Sequence, residues 1–140
     1  MQQAEGLKQQ YENLEWAGPI EDESVVKPEG LLTFPYEYPN SDTEVSIDTD
    51  EFTAVCPWTG LPDFGTLVIT YAPGDVCLEL KSVKYYLLAY RSVGIVQEHA
   101  ANRILNDLVA ACKPRSMTLT LDYNTRGGLH TVVTSHYPAS

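Results

Sequence analysis

From Glu44 onward, apolar and polar positions keep first one period and then another. Val45 and Ile47 alternate with polar neighbours, which is the period of a half-buried strand. A turn-rich stretch follows, C-P-W-T-G-L-P-D-F-G from Cys56 to Gly65. Thr66–Ala72 (T-L-V-I-T-Y-A) then reads as a second strand, closed by Pro73-Gly74-Asp75. Beyond it the spacing becomes helical. Lys81–Arg91 places Val83, Tyr86, Leu87 and Tyr90 on one face, and Ser92-Val93-Gly94 punctuates it, with Gly94 as a left-handed cap. Gln97–Cys112 repeats the pattern with Ala101, Ile104, Leu105, Leu108, Val109 and Cys112, and Pro114 stops it. Period two returns at Met117, Leu119, Leu121 and Tyr123. The turn Asn124–Gly128 leads into a return strand from Leu129 to His136.

Strand, strand, helix, helix, strand, strand is an α+β order. It predicts a four-stranded antiparallel sheet with both helices on one face. So small a sheet has two edges to cover or pair, so oligomerisation through them is expected. Leu31–Pro39 is aromatic and broken by proline, so it should pack over a surface without joining a sheet centrally. Residues 1–30 read as a poorly ordered acidic lead with a short helix around Leu7–Leu14. Residues 31–140 form the single domain.

Composition narrows the function. A chain of 140 residues fits one domain, and 44% hydrophobic with 20% charged residues permits a packed core. A formal net charge of −10 excludes broad contact with nucleic acid phosphates. It leaves room for a few clustered lysines around a small anion. No apolar run approaches the roughly 20 residues that cross a bilayer, so no membrane partner is expected. The N-terminus lacks an apolar signal region, and three cysteines without one read as thiols of a cytoplasmic protein.

Cys56 is the first candidate for chemistry, at a strand-end turn with Asp63 seven residues on. A free thiol needs a neighbour that deprotonates it or exchanges protons with it, and Asp63 could serve. A buried cysteine beside a turn-capping aspartate fits the same residues. Lys81 and Lys84 stand three apart near a helix start, a placement that suits a phosphate or equally a solvated face. Glu98 opens the second helix, either as ordinary first-turn acid or as a carboxylate that takes two hydrogen bonds from a guanine-like edge. Arg126-Gly127-Gly128 is a hairpin turn or a flexible approach to phosphate. The cysteines and histidines show no metal-ligand spacing, so no metal is expected, and no Rossmann or P-loop fingerprint is present.

Together these segments resemble the QueF family of nitrile reductases, single-domain type. E-L-K-S-V-K-Y-Y (Glu79–Tyr86) matches the family signature E-[SL]-K-[SA]-x-K-[LY]-[YFW] at every fixed position. The Cys56–Gly65 stretch, V-Q-E-H-A-A-N-R-I-L-N-D-L (Val96–Leu108) and T-R-G-G-L (Thr125–Leu129) agree as well, so the resemblance runs from about Leu31 to Tyr137. It implies the tunnelling fold (T-fold) and a homo-oligomer with active sites between subunits, Cys56 and Glu98 of one pocket coming from adjacent chains. It implies reduction of 7-cyano-7-deazaguanine to the aminomethyl form, a step of queuosine biosynthesis for tRNA modification, with two NADPH per turnover. Catalysis would fall to Cys56, as a thioimide, and to Asp63. Leu78, Glu79, Leu80, Gln97 and Glu98 would bind substrate, and Lys81, Lys84, Arg126 and Gly127 the cofactor. Gln97 stands where many members carry His, and His99 follows the glutamate instead. Amidine-forming relatives that act on the same nitrile lack the lysine signature. A non-catalytic T-fold binder of a pterin or purine would not need Cys56 and Asp63.

Overall fold

The computed structural model describes residues 6–7, 9–10 and 20–140. Of the helix expected around Leu7–Leu14, Leu7, Gln9 and Gln10 are helical and exposed, and the remainder lies outside the described residues. The elements are β1 (Thr33–Pro35), β2 (Val45–Val55), β3 (Pro62–Ala72), β4 (Val76–Leu78), α1 (Leu80–Leu88), α2 (Gln97–Cys112), β5 (Ser116–Tyr123) and β6 (Val132–Tyr137). The main sheet is antiparallel in the order β2-β3-β5-β6, and β1 with β4 makes a separate two-stranded ribbon.

This is the α+β arrangement that the periodicity predicts, and the two periods explain why. Along β3 and β5, Leu67, Ile69, Leu119 and Leu121 are spaced two apart and fully buried, whereas Thr66, Thr70, Thr118 and Thr120 point the other way and are half-buried. On α2 the helical spacing brings Ile104, Leu105 and Leu108 to the same side, and they join the strand residues and Val83 and Tyr86 of α1 in one core. Pro114 follows a left-handed cap at Lys113 (φ 44°), so α2 ends where the sequence says it must.

Several boundaries differ from expectation, among them the return strand, expected from Leu129, which begins at Val132. β3 begins at Pro62, four residues before the predicted start, so Asp63 lies on a strand and not in the turn. Proline is tolerated at a strand's first residue, where no ladder hydrogen bond is lost. Gly65 is required inside the strand, since a Cβ there would stand 2.9 Å from the carbonyl oxygen of Asp122. The first helix stops at Leu88 and continues as a 3-10 turn over Ala89–Ser92. Gly94 is no left-handed cap; it pairs in extended fashion with Val55, and a Cβ would meet Cα of Pro57 at 3.2 Å. Space, not handedness, selects glycine there.

Residues 20–30, expected as part of a loose lead, pack onto the domain. Glu21 exchanges backbone hydrogen bonds with Ser92 (2.7 Å) and Gly94 (3.0 Å), and Val26 is buried. Glu23 pairs with Arg103 at 3.2 Å. Arg103 in turn holds Asp107 at 2.8 Å, and Asp107 accepts the Tyr86 hydroxyl, so segment, α1 and α2 share one polar chain inside the fold.

The start of α1 is capped by Glu79. Its carboxylate accepts the N–H of Lys81 at 3.0 Å and of Ser82 at 2.8 Å. The Ser82 hydroxyl donates to Glu79 O, and Leu32 N–H donates to Ser82 Oγ, which ties the helix start to the chain before β1. The Ser82 and Lys81 N–H groups hold the Glu79 carboxyl below its ordinary value of 4.5. A depressed folded value gives stability that is present above the unfolded value and lost as pH falls through the folded one. Glu79→Ala should therefore lower the melting temperature at pH 7, and the gap to wild type should close as acidification below 4.5 protonates the carboxylate. Thermal unfolding of both proteins across pH 3–7 checks this.

Candidate active site

The C-terminal end of β2 leads straight into the Cys56 turn. Cys56 N–H donates to Leu61 O at 2.9 Å, and Gly60 N–H donates back to Cys56 O at 2.8 Å. Gly60 has φ 71°, the left-handed backbone that closes so short a loop. The Thr59 hydroxyl oxygen accepts Leu61 N–H at 3.2 Å, which fixes its side chain inside the turn. The thiol is half-buried and free. A hydrogen bond from the Thr59 side chain, then one from Trp58 N–H, pull it below its usual 9.0, while burial and the Asp63 charge push the other way. The turn itself, therefore, activates the thiol, and Asp63 opposes its ionisation. Thr59 escaped notice in the sequence because a threonine in a turn carries no signal of its own.

A parallel bridge sets what faces Cys56. Val55 N–H donates to Val93 O at 3.0 Å and Ile95 N–H donates to Val55 O at 3.1 Å. Two residues later α2 begins, so its first turn arrives beside the thiol. Cys56, Trp58, Asp63, Ile95, Gln97 and Glu98 line one cavity of about 230 Å³. The helix start has no side-chain cap at Val96, which leaves its positive dipole end at this cavity. Four of the sequence-predicted residues meet here within a single chain. The expectation that Cys56 and Glu98 of one pocket come from adjacent chains is not met: the bridge at Val55 brings them together in one.

Two more residues stand near Asp63. Tyr123 is buried, and burial, with Asp63 and Glu98 nearby, holds its phenol above the ordinary range, so it remains neutral. In the sequence it looked like one more core position of β5. Arg126 reaches across from the β5–β6 hairpin, and its Nη1 lies 2.6 Å from both Asp63 Oδ1 and Pro62 O. Gly127 (φ 58°) and Gly128 (φ 79°) form the tight turn that aims it, with open space around both.

The other predicted residues lie elsewhere on the chain. Leu78 is buried, and the Glu79 carboxylate caps α1. Leu80 and Lys84 line a different, apolar cavity of about 180 Å³ against β2. Lys81 is exposed, its Nζ 6.0 Å from the Tyr85 ring centre. Neither lysine makes an ion pair among the described residues. No cluster of three or more His, Cys, Asp or Glu side chains among those residues is placed to hold a metal.

The chain is similar to a set of known proteins. A family model described as QueF-like protein matches residues 62–140. A protein of Chloroherpeton thalassium named NADPH-dependent 7-cyano-7-deazaguanine reductase is 51% identical over 114 residues, covering 81% of this chain and 98% of that one. A protein of the same name from Chlorobaculum parvum is 53% identical over 109 residues, 78% of this chain and 94% of its own. Matches that long take in Cys56 as well as Asp63, although the family model begins after the cysteine. A crystal structure of the archaeosine synthase QueF-Like in the apo form superposes with a TM-score of 0.66 at 23% identity, over 72% of this chain and 99% of that one, and so shares the fold.

If Thr59 activates the thiol, Thr59→Val raises the thiol value and shrinks the thiolate fraction near neutral pH. The pH profile of Cys56 alkylation by iodoacetamide, followed by mass, should move to higher pH in Thr59→Val and stay in place in Thr59→Ser. Identical profiles for wild type and Thr59→Val would remove Thr59 from the site.

Proposed function

The chain belongs to the QueF-like protein family, and on that premise we propose that it reduces 7-cyano-7-deazaguanine to the aminomethyl base with NADPH, through a thioimide on Cys56. One observation carries the reading: an activated thiol, a carboxylate placed to move protons and a second carboxylate suited to a guanine-like edge line the same cavity.

The chemistry follows from that arrangement. The Cys56 sulfur adds to the nitrile carbon, one π bond of the C≡N group opens, and the thiol's proton ends on nitrogen by way of Asp63. Sulfur addition turns an unreactive nitrile into an activated carbon and splits one hard step into easier ones. Glu98 accepts hydrogen bonds from two N–H groups of the deazaguanine ring, and the Gln97 amide adds a third polar contact. Bound NADPH would supply the two hydrides and solvent the two protons: after the first reduction the Cys56 sulfur leaves as the thiol while the nitrogen forms a C=N bond, and the second reduction converts that imine to the amine. Lys81 and Lys84 fit a phosphate-bearing cofactor: they are exposed, unpaired among the described residues and three apart on α1, in a chain of net charge −10.

The one-chain cavity is half a pocket. Its 230 Å³ falls below the roughly 300 Å³ at which ordinary ligand sites begin. At its mouth Trp58 is 80% exposed, and Leu129 and Phe64 are exposed nearby on the chain. The substrate and cofactor residues Leu78, Glu79, Leu80, Lys81 and Lys84 sit outside it. In our reading a neighbouring copy brings that helix start to the Cys56 cavity, in a cytoplasmic homo-oligomer.

Two experiments test this. Wild type incubated with the nitrile and no NADPH should gain the substrate's mass, and Cys56→Ala should not; an unmodified wild type sinks the thioimide. For the assembly, Cys56→Ala dissociated and reassembled with a Lys81→Ala/Lys84→Ala variant should recover activity at low NADPH, since some mixed sites receive every intact residue. The pair Cys56→Ala and Glu98→Ala should recover none, because both changes fall on one chain's share of the pocket. Recovery in the second pair, or none in the first, rejects the division proposed.

A further inference from the structure

Under the reading above, Arg126 is a cofactor residue that matters only once NADPH arrives. The structure assigns it a second task that precedes the cofactor: we propose that Arg126 is the positioning residue for Asp63, and that formation of the Cys56–nitrile adduct depends on it. The inference rests on the proposed reaction and deepens it.

The geometry is specific. Asp63 is the second residue of β3, where the strand has barely begun, and its backbone pairs only with Ala54 on β2. Nothing in the strand itself selects a rotamer for its carboxylate. Arg126 does, because a single nitrogen, Nη1, donates both to the Pro62 carbonyl and to Asp63 Oδ1, each at 2.6 Å. Backbone and side chain are thus locked to one guanidinium. The Asp63 side chain is 15% exposed and Arg126 44%, so the contact is shielded on the carboxylate's side. It is far from the fully solvated pairs that contribute little.

Arg126 is itself held. Arg126 and Leu129 exchange two backbone hydrogen bonds of 2.9 Å, and Gly127 and Gly128 both take positive φ, so the turn has one shape. Asn124 N–H donates to Phe64 O at 2.8 Å, pinning the hairpin to β3 one residue past Asp63. No other hydrogen bond of the Arg126 side chain is present among the described residues, so Nε and Nη2 remain for a phosphate while Nη1 holds Asp63.

Adduct formation is where this shows. The S–C bond forms as one C≡N π bond opens, the thiol proton passes by Asp63 to the nitrile nitrogen, and no electrons are gained or lost. With Oδ1 on Arg126, Oδ2 is the oxygen left for the proton, on a residue that lines the cavity. An unanchored carboxylate spends part of its time pointed away, and small misplacements of proton-transfer groups are expensive.

The test is stopped-flow or quenched mass measurement of adduct formation with the nitrile and no NADPH. Arg126→Ala should slow it roughly ten- to a hundred-fold, the worth of a charge-assisted contact. Arg126→Lys should recover part of the rate, since one ammonium can still donate to Oδ1. In an Asp63→Asn background Arg126→Ala should cause no further slowing, which separates positioning from a general structural effect, with melting temperatures confirming that each variant is folded. A wild-type rate in Arg126→Ala overturns the inference and leaves Arg126 to the cofactor alone. So does equal slowing in the Asp63→Asn background. Absence of any adduct in wild type overturns the proposed reaction itself, and this inference with it.

Discussion

Two backbone hydrogen bonds flanking Gly94 decide whether this chain has a site at all. Val55 N–H to Val93 O and Ile95 N–H to Val55 O fasten the chain ahead of α2 to the end of β2, one residue before Cys56. On the far side the same segment is held by Glu21, so three stretches distant in sequence lie side by side. Nothing bulkier than glycine fits between them, since a Cβ on Gly94 would stand 2.5 Å from Ile20 Cγ2 as well as against Pro57. The thiol and Glu98 are therefore neighbours because of backbone pairing, not because their own side chains attract. Residues 20–26 are structural for this reason: they close the other side of the pairing and, through Glu23 and Arg103, reach the half-buried Asp107 and the buried Tyr86.

Charge is arranged with similar economy. With nine Lys and Arg against nineteen Asp and Glu, each cation has several acids to choose from. Among the described residues Arg103 and Arg126 are engaged by carboxylates, while Lys27, Lys81, Lys84, Arg91, Lys113 and Arg115 make no ion pair. In so acidic a chain, cations that stand clear of acids are where a phosphate is repelled least. The Cys56 thiol is activated in a different manner, by neutral donors of its own turn. A fixed hydroxyl and N–H, both neutral, stabilise the thiolate, while the cation of this region, Arg126, is held by Asp63 instead.

The helices and the central strands were legible because burial imposes a period. Gln97–Cys112 comes out with both ends as predicted, since an apolar stripe, a first-turn acid and Pro114 all agree. β4 was invisible: Val76–Leu78 is three residues long, too short to show alternation, and it exists only because Thr33–Pro35 pairs with it. Gly94 misled because glycine after a helix usually signals left-handed backbone, and a need for space looks the same in one dimension. At the site, Cys56, Asp63 and Glu98 were candidates from residue type and position and Gln97 entered with the resemblance, whereas Thr59 acts through a turn geometry that sequence does not show and Tyr123 through what lies across space from it. The contact between Arg126 and Asp63 joins residues 63 positions apart, and no local pattern records it.

The remaining distance between sequence and site is the one between the Cys56 cavity and the start of α1. Both halves carry the marks of surfaces meant to be covered. Trp58 is exposed at the thiol's cavity, with Phe64 and Leu129 exposed on β3 and the Arg126 turn, and Leu32, Phe34 and Leu80 are exposed around the α1 start. Isolated exposed apolar side chains are ordinary, but two groups of them on a small acidic domain, one beside a nucleophile and the other beside unpaired lysines, are not. Within one chain Glu79 cannot leave its helix without uncapping it, so α1 does not slide to the cysteine. In the proposed homo-oligomer a second copy covers both surfaces, and pairing at the open edges β2 and β6 is the route by which it brings the proposed cofactor residues to the cavity. Under this reading the fold's smallness becomes part of the mechanism, since a domain too small to enclose its substrate must share the task.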